Sequence, residues 1–296
     1  MANYNIVFST DENYVKHLCV TLISLLNNNR NMSFKIYIIN NGITDYHYNN
    51  IEAVAEGFEC ELINARVPDD AFSQLVTNDH FTKAAYYRLL IPDLVAERKV
   101  LYLDVDIVVN GKIDKLYNKN IDNYYVAAVE EPGAEWRSEL KMDETSRYFN
   151  SGMMLINLEK WEKDCLVEKV ILFIEKNPRA IRFVDQCGLN AVINGNWKLL
   201  PLIYNQQAVI FEENYKCDCF SPEEIRRAKK HPVIVHYTGS SKPWHLLNNH
   251  PYKNLYWKYR SMTPYKSFLP DDFTLINIAR LIKHAPIWKA LKNQLN

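Results

Sequence analysis

The chain has 296 residues, 48% of them hydrophobic, and its 35 basic side chains balance 35 acidic ones. That is enough apolar material for one large domain or two small ones, and a net charge of zero gives no support to a nucleic-acid binder held by bulk electrostatics. No apolar run reaches the length a bilayer span requires.

The N-terminus leads directly into a strand-like run, so no leader segment is expected. The scattered cysteines Cys19, Cys60, Cys165, Cys187, Cys217 and Cys219 are expected to be reduced thiols of a cytoplasmic protein. Cys217-Asp218-Cys219 lacks the partner pair that a zinc site would need.

Asn5–Thr10 reads as a short buried strand, followed by a helical pattern from Tyr14 to about Leu26 that places Leu18, Leu22 and Leu25 on one face. Phe34–Ile39 is a second strand, Asp45–Ala55 a helix and Cys60–Asn64 a third strand. This alternation implies a parallel sheet covered by helices. Ligands of such sheets bind beyond the carboxyl ends of the strands, where Thr10, Asn40 and Asp104 fall. Thr82–Leu90 looks helical and carries Arg88. Lys99–Asn110 is a strand-like apolar run interrupted by two carboxylates. Tyr124–Glu130 and Phe149–Leu158 read as further strands, with a polar loop, Gly133–Tyr148, between them. Glu159–Lys176 is an amphipathic helix, Val184–Asn190 opens another, and Val233–Tyr237 is the last clear strand. Asp271 begins a separate tail.

On a regular strand residues i and i+2 share a face, so Asp104 and Asp106 can converge on one cation. Two hard oxygen ligands suit Mg2+, Mn2+ or Ca2+. A plainer account of the pair is a strand cap that starts a turn. His236 ends an apolar strand; it can complete a metal site with the aspartates or be a satisfied core histidine. The loop after it, with Gly239 and Lys242, can cradle phosphate, because glycine permits close backbone approach and lysine supplies charge. Arg88 can grip an anion as a fork or make an ion pair. Asp11, Asn13 and Tyr14 can read and stack on a base, or the first two can cap a helix. Asn150-Ser151-Gly152 is a polar site or a bulge, and Asp185-Gln186 a site or a helix start.

In chain order, Phe8-Ser9-Thr10-Asp11-x-Asn13-Tyr14, Tyr102-Leu103-Asp104-x-Asp106, Phe149-Asn150-Ser151-Gly152, Asp185-Gln186 and His236-Tyr237-x-Gly239-x-x-Lys242-Pro243-Trp244 form one combination. It resembles the family 8 glycosyltransferases, bacterial lipooligosaccharide galactosyl- and glucosyltransferases with glycogenin as a eukaryotic relative, over roughly residues 3–262. The resemblance implies an α/β GT-A fold, with a Rossmann-like mixed central sheet flanked by helices, over residues 1–265; beyond it, 266–296 read from their own pattern as a C-terminal helical tail. It implies retaining transfer of galactose or glucose from UDP-galactose or UDP-glucose to a glycan acceptor, whether lipid-linked, polysaccharide or glycoprotein. Mn2+, or Mg2+ in its place, would bridge the diphosphate.

Carried over position by position, the resemblance makes Asp104, Asp106 and His236 the metal ligands. Asp11, Asn13 and Tyr14 become uridine contacts, Gly239 and Lys242 diphosphate contacts, and Arg88, Asn150 and Asp185 donor-sugar contacts. Thr10, Val105 and Ser151 join the donor-binding set. Gln186, with Asp185 beside it, would lie near the reacting anomeric carbon. Family members often carry an acidic residue directly after the Asp-Gln pair. Here that position is Cys187, which removes one candidate nucleophile and favours a front-face mechanism over double displacement. Glu130 and Glu131 can orient donor or acceptor, and the loops Gly133–Tyr148 and Asn205–Phe220 can form the acceptor side.

The tail interleaves Phe273, Leu275, Ile276, Ile278, Leu281, Ile282, Ile287, Trp288 and Leu291 with Arg280, Lys283, Lys289 and Lys292. Such a basic amphipathic helix suits peripheral contact with an anionic membrane, or packing on the domain or a second subunit. The competing functions are a non-catalytic nucleotide-sugar or glycan-binding protein, and a nucleotidyltransferase or phosphatase. The last lacks a second carboxylate cluster and a Gly-rich phosphate loop.

Overall fold

The computed structural model describes residues 4–68, 71, 83–134, 138–213, 215 and 217–284. Strand β1 (Tyr4–Thr10), helix α1 (Val15–Asn28), strand β2 (Phe34–Asn40), helix α2 (Asp45–Ala55) and strand β3 (Cys60–Arg66) give the alternation expected of the first 66 residues. A 3-10 stretch, Lys83–Leu90, runs into the short helix α3 (Ile91–Leu94). Then come β4 (Lys99–Leu103), β5 (Ile107–Val109), α4 (Asp114–Tyr117), β6 (Val126–Glu130) and β7 (Phe149–Asn157). Helices α5 (Leu158–Lys163), α6 (Leu166–Lys176) and α7 (Val184–Ile193) follow. The chain closes with β8 (Lys198–Leu199), β9 (Gln206–Gln207), α8 (Pro222–Lys230), β10 (Ile234–His236), α9 (Lys253–Arg260) and α10 (Leu275–His284).

Seven strands form the central sheet in the order β3-β2-β1-β4-β7-β6-β8. The β3-β2-β1-β4 half is parallel, and β7 runs antiparallel to both β4 and β6, so the sheet is mixed. Alternation along each strand sends side chains to two cores. Ile6, Phe8, Leu101 and Leu103 pack with α1 on one face, while Val7, Val100 and Tyr102 pack with Trp161, Val170 and Ile174 of α5 and α6 on the other. A second sheet, β5-β10-β9, sits beyond the carboxyl end of β4.

The run Lys99–Asn110 is therefore not one strand. β4 stops at Leu103, Asp104–Asp106 form a turn, and β5 enters the other sheet antiparallel to β10. The two carboxylates converge because the chain turns there, not because i and i+2 share a strand face. Ionised groups are costly inside a doubly covered sheet, so the strand gives way where they begin. Helix α1 ties the turn down: the Thr21 hydroxyl lies 3.0 Å from the Val105 carbonyl and 2.7 Å from that of Ile107.

The helix expected over Glu159–Lys176 is two helices. Cys165, at φ 47°, interrupts it and re-aims α6 onto α7. There Gly188 lets the helices approach so closely that a Cβ would lie 2.8 Å from Ile174 Cδ1. Cys217 and Cys219 are joined in a disulfide, which corrects the expectation of reduced thiols for that pair; their Cα atoms are 5.4 Å apart, within the reach of a disulfide.

The start of the tail is fastened to the domain: Asp271 pairs with Lys16 at 2.8 Å, and Asp272 accepts a 2.6 Å bond from the Leu246 amide. Among the described residues no helix is long and apolar enough to cross a membrane. The tail residues Pro286, Ile287, Trp288, Lys289, Leu291 and Lys292, and Thr82, lie outside the described residues.

Candidate active site

The carboxyl ends of β1 and β4, the start of β7, the end of β10 and the first turn of α7 meet around the Asp104–Asp106 turn. Asp104 continues the β4–β7 ladder for one more bond, from its amide to the Gly152 carbonyl at 2.8 Å. Asp106 is anchored from the other side, its carbonyl accepting from the Tyr237 amide at 3.0 Å.

Each aspartate divides its two oxygens. Asp104 Oδ1 accepts from Arg88 Nη2 at 3.0 Å and from the Tyr102 hydroxyl at 2.8 Å. Asp106 Oδ2 accepts from Lys242 Nζ at 2.5 Å. The remaining oxygens, Asp104 Oδ2 and Asp106 Oδ1, face His236 Nε2 at 3.9 and 3.2 Å. Ligand atoms of the three residues lie within 4.8 Å of one another. Asp106 Oδ1 is buried with no hydrogen-bond partner. A buried carboxylate oxygen without a donor is costly, and a cation relieves that cost. Two hard oxygens suit Mg2+ or Mn2+, and an added imidazole nitrogen is acceptable to Mn2+, so the residues fit a divalent ion.

Burial alone would raise the Asp106 carboxyl, but the Lys242 ammonium overcomes it and holds the group far below the usual carboxylate range. Burial likewise opposes the charge on Arg88, yet Asp104 and Asp185 keep it firmly protonated. Arg88 is the clamp of the site. Its Nε lies 3.1 Å from Asp185 Oδ2, its Nη1 donates to the Ser151 carbonyl and hydroxyl at 2.8 and 3.0 Å, and its Cζ sits 4.5 Å above the Tyr102 ring. Asp185 itself is pushed up to about 6, chiefly by burial, with Arg88 opposing and Asp104 adding to the rise. Burial also raises Glu131, against the bond it receives from Asn150.

The sequence-derived set is largely brought together. Gln186 Oε1 accepts from the Ser151 amide at 2.9 Å, and its Nε2 lies 3.4 Å from the Tyr148 hydroxyl. Asn150 is buried with both ends of its amide engaged, Nδ2 to Glu131 Oε2 at 2.6 Å and Oδ1 from the Gly152 amide at 3.0 Å. Cys187 is buried, 3.3 Å from the Tyr148 hydroxyl. Thr10 is buried at the end of β1, and Asp11 caps the following turn, accepting from the Tyr14 amide at 3.1 Å. Tyr14 is 38% exposed, its ring 6.1 Å from Trp244, which stacks on His17 at 3.6 Å. Asn13 is exposed on the same turn, away from the cluster's bonds. Val105 is half-buried between the two aspartates. Gly239 takes φ +85° in open space ahead of Lys242, a backbone region that suits glycine.

Sequence reasoning named three further contributors without the roles they take here. Tyr102 read as an apolar strand residue, but its hydroxyl reaches Asp104. Asn205 begins a loop read only as an acceptor side, yet it contacts both His236 and Asn150 at 2.9 Å. Gly152 is what lets the ring in: a Cβ there would collide with His236 Cε1 and meet Asp104 Oδ2 at 2.6 Å.

A mixed sheet with helices on both faces, carrying an acidic metal-type cluster and a lysine-bearing loop at its carboxyl edge, has the layout of a nucleotide-dependent α/β enzyme. The chain matches Glycosyl transferase family 8 over residues 5–248 and belongs to it. General stress protein A of Bacillus subtilis is 34% identical over 89% of this chain and 95% of its own length. Lipopolysaccharide 1,2-glucosyltransferase of Escherichia coli K12 is 28% identical over 95% of this chain and 84% of its own length. In fold, the galactosyltransferase LgtC, solved with donor and acceptor sugar analogs, superposes with a TM-score of 0.78 at 21% identity, covering 91% of this chain and 98% of that one. The protein is a glycosyltransferase with the GT-A fold.

Proposed function

We propose that the enzyme is a retaining hexosyltransferase, moving galactose or glucose from UDP-galactose or UDP-glucose to a glycan acceptor, with Mn2+, or Mg2+ in its place, held by Asp104, Asp106 and His236. The observation that carries this reading is the set of three ligand atoms left facing one another after Arg88, Tyr102 and Lys242 have engaged the other carboxylate oxygens. Asp104, Asp106 and His236 would hold a divalent ion there, which would supply charge neutralisation for the departing diphosphate. Lys242, held between the Tyr237 carbonyl at 2.8 Å and Asp106, is aimed at the same charge, with Gly239 opening the loop for phosphate. No proton is needed at that leaving group.

Asp11, Asn13 and Tyr14 at the end of β1 take the uridine, with Thr10 and Val105 behind them. Arg88 holds Asp104, Asp185 and Ser151 in register, and Asn150 and Gln186 complete the floor under the sugar. Cys187, buried beside Tyr148, stands where a carboxylate nucleophile would be needed, so Gln186 offers only an amide dipole to an oxocarbenium-like ion pair, and transfer proceeds on the front face. The names of the Escherichia coli relative and of LgtC support glucose or galactose as the hexose. The cavity of about 380 Å³ lined by Glu130, Glu131, Arg147, Tyr148 and Asp218 supports an acceptor site between the two loops.

The test is UDP release from both donors with and without Mn2+. Turnover unchanged by EDTA, or equal in Asp106→Asn, contradicts the metal assignment. A trapped glycosyl-enzyme adduct by intact mass contradicts the front-face route. Binding of UDP-sugar without any release favours a non-catalytic binding protein.

We further propose that residues 1–265 are the catalytic domain of a cytoplasmic enzyme and that the tail makes peripheral contact with the inner face of the membrane. In support, α10 leaves Leu275 85% and Ile276 66% exposed, with Leu281 and Ile282 also in solvent. Deleting 275–296 is expected to abolish co-sedimentation with anionic liposomes; unchanged co-sedimentation rules the contact out.

A further inference from the structure

Four side chains from four separate segments line up behind the metal-type cluster. Glu131 follows β6, Asn150 is in β7, Asn205 precedes β9 and His236 ends β10. Successive contacts are 2.6 Å from Asn150 Nδ2 to Glu131 Oε2, 2.9 Å from Asn205 Nδ2 to Asn150 Oδ1, and 2.9 Å from His236 Nδ1 to Asn205 Oδ1. Asn150, Asn205 and His236 are at most 6% exposed, so water does not complete these bonds.

The direction of the chain is fixed at one point. The Gly152 backbone N–H can only donate, and it lies 3.0 Å from the Asn150 side chain, so the atom it meets is the amide oxygen. Asn205 approaches that same oxygen and must present its NH2 group. Its own oxygen is thereby turned to His236 Nδ1, which must carry a proton to make the bond. In the neutral ring Nε2 is then a bare lone pair, and it is Nε2 that faces Asp104 and Asp106. A lone pair aimed at two carboxylate oxygens is unfavourable by itself; a proton on Nε2 or a cation among the three atoms relieves it, and the cation uses Nε2 as a ligand.

We propose that Asn205 is a positioning residue. As the member next to the ring in a one-way relay running from His236 through Asn205 and Asn150 to Glu131, it locks His236 in the Nδ1–H tautomer and holds Nε2 ready as a ligand. Asn150 is then part of the support for the metal site as well as of the donor floor. The proposal rests on the metal reading above, and it assigns the metal's orienting partner to an amide that no motif marks. Outer partners of ligating histidines usually change metal affinity by roughly 10- to 100-fold when removed.

The first test needs no substitution in the relay. Long-range 15N–1H correlations of the metal-free protein, at a pH where the ring is neutral, with His236 assigned by difference against His236→Gln, are expected to show Nδ1 protonated and Nε2 bare. A protonated Nε2 overturns the relay. The second test follows free Mn2+ by EPR. Asn205→Leu is expected to weaken Mn2+ binding roughly 10- to 100-fold, whereas Asn205→Asp, which keeps an acceptor for the ring N–H, recovers most of the loss. Equal Mn2+ affinity in wild type and Asn205→Leu, both dependent on Asp104, overturns the proposal. If the wild-type protein takes up no Mn2+, the metal reading fails, and the tautomer measurement still decides the relay.

Discussion

Lys242 Nζ reaches Asp106 Oδ2 at 2.5 Å across 136 residues of sequence, joining the loop after β10 to the turn after β4. The same ammonium is held by the Tyr237 carbonyl. Its position is thus set before any donor arrives, and preorganised charge needs no rearrangement when the leaving group departs.

Replacing it by Lys242→Met removes the charge and keeps much of the stem. The expected loss in kcat for UDP release is roughly 10²- to 10³-fold, in the range found when one preorganised donor is deleted. Steady-state kinetics with circular dichroism as a fold control decide it; a kcat within threefold of wild type contradicts the role.

Gly152→Ala places a methyl group against His236 Cε1, Asp104 Oδ2 and Asn150 Oδ1 at once. None of these is the loose end of a flexible chain, since all three are held by bonds described above. The expected result is a folded protein that has lost most Mn2+ binding and activity together. Titration with Mn2+ and a thermal melt separate loss of the site from loss of the fold.

Asp185 gives a pH signature. Its native carboxyl is raised to about 6, first by burial, while an unfolded aspartate titrates at about 3.9. The native state therefore holds the proton more tightly. The stabilisation is complete below the unfolded value and is lost as pH rises to about 6, on the order of 2–3 kcal/mol in all. Denaturant melts in EDTA should show wild type losing stability relative to Asp185→Asn between about pH 4 and 6. Parallel curves for the two proteins would contradict the assignment.

Gly188→Val tests the α6–α7 contact, where an added Cβ already meets Ile174 at 2.8 Å and Val170 Cγ1 at 2.9 Å. Overpacking a close helix crossing costs about 1–3 kcal/mol. A lower urea midpoint with an unchanged slope is expected; an unchanged midpoint would mean the helices separate without cost.

The first 66 residues were legible because their periodicities are local. A strand buried on both faces is a plain apolar run, and an amphipathic helix repeats its own pattern, so β1 to β3 with α1 and α2 fall where the sequence predicts them. The motifs Asp104-x-Asp106, His236 and Lys242 were legible as chemistry, because carboxylates and an imidazole stand out against apolar strands. The end of β4 at Asp104 was legible as a strand cap, but β5 was not legible as a separate strand, since Val105 and Ile107-Val108-Val109 continue the apolar pattern; only the second sheet decides where that run goes. Nor was the break at Cys165, where the helical pattern of Glu159–Lys176 continues through a residue with positive φ.

By itself, then, the sequence determined the alternating architecture, the family and the residue types of the site. Tertiary structure alone decided which oxygen of each aspartate is engaged and which faces His236, that Arg88 clamps Asp104 to Asp185, and that Asn205 stands behind the imidazole. Apart from the bond of Tyr102 to Asp104, such pairings join residues from 16 to 136 positions apart. No local periodicity encodes them, and they exist only once both sheets and α7 have closed on the same turn.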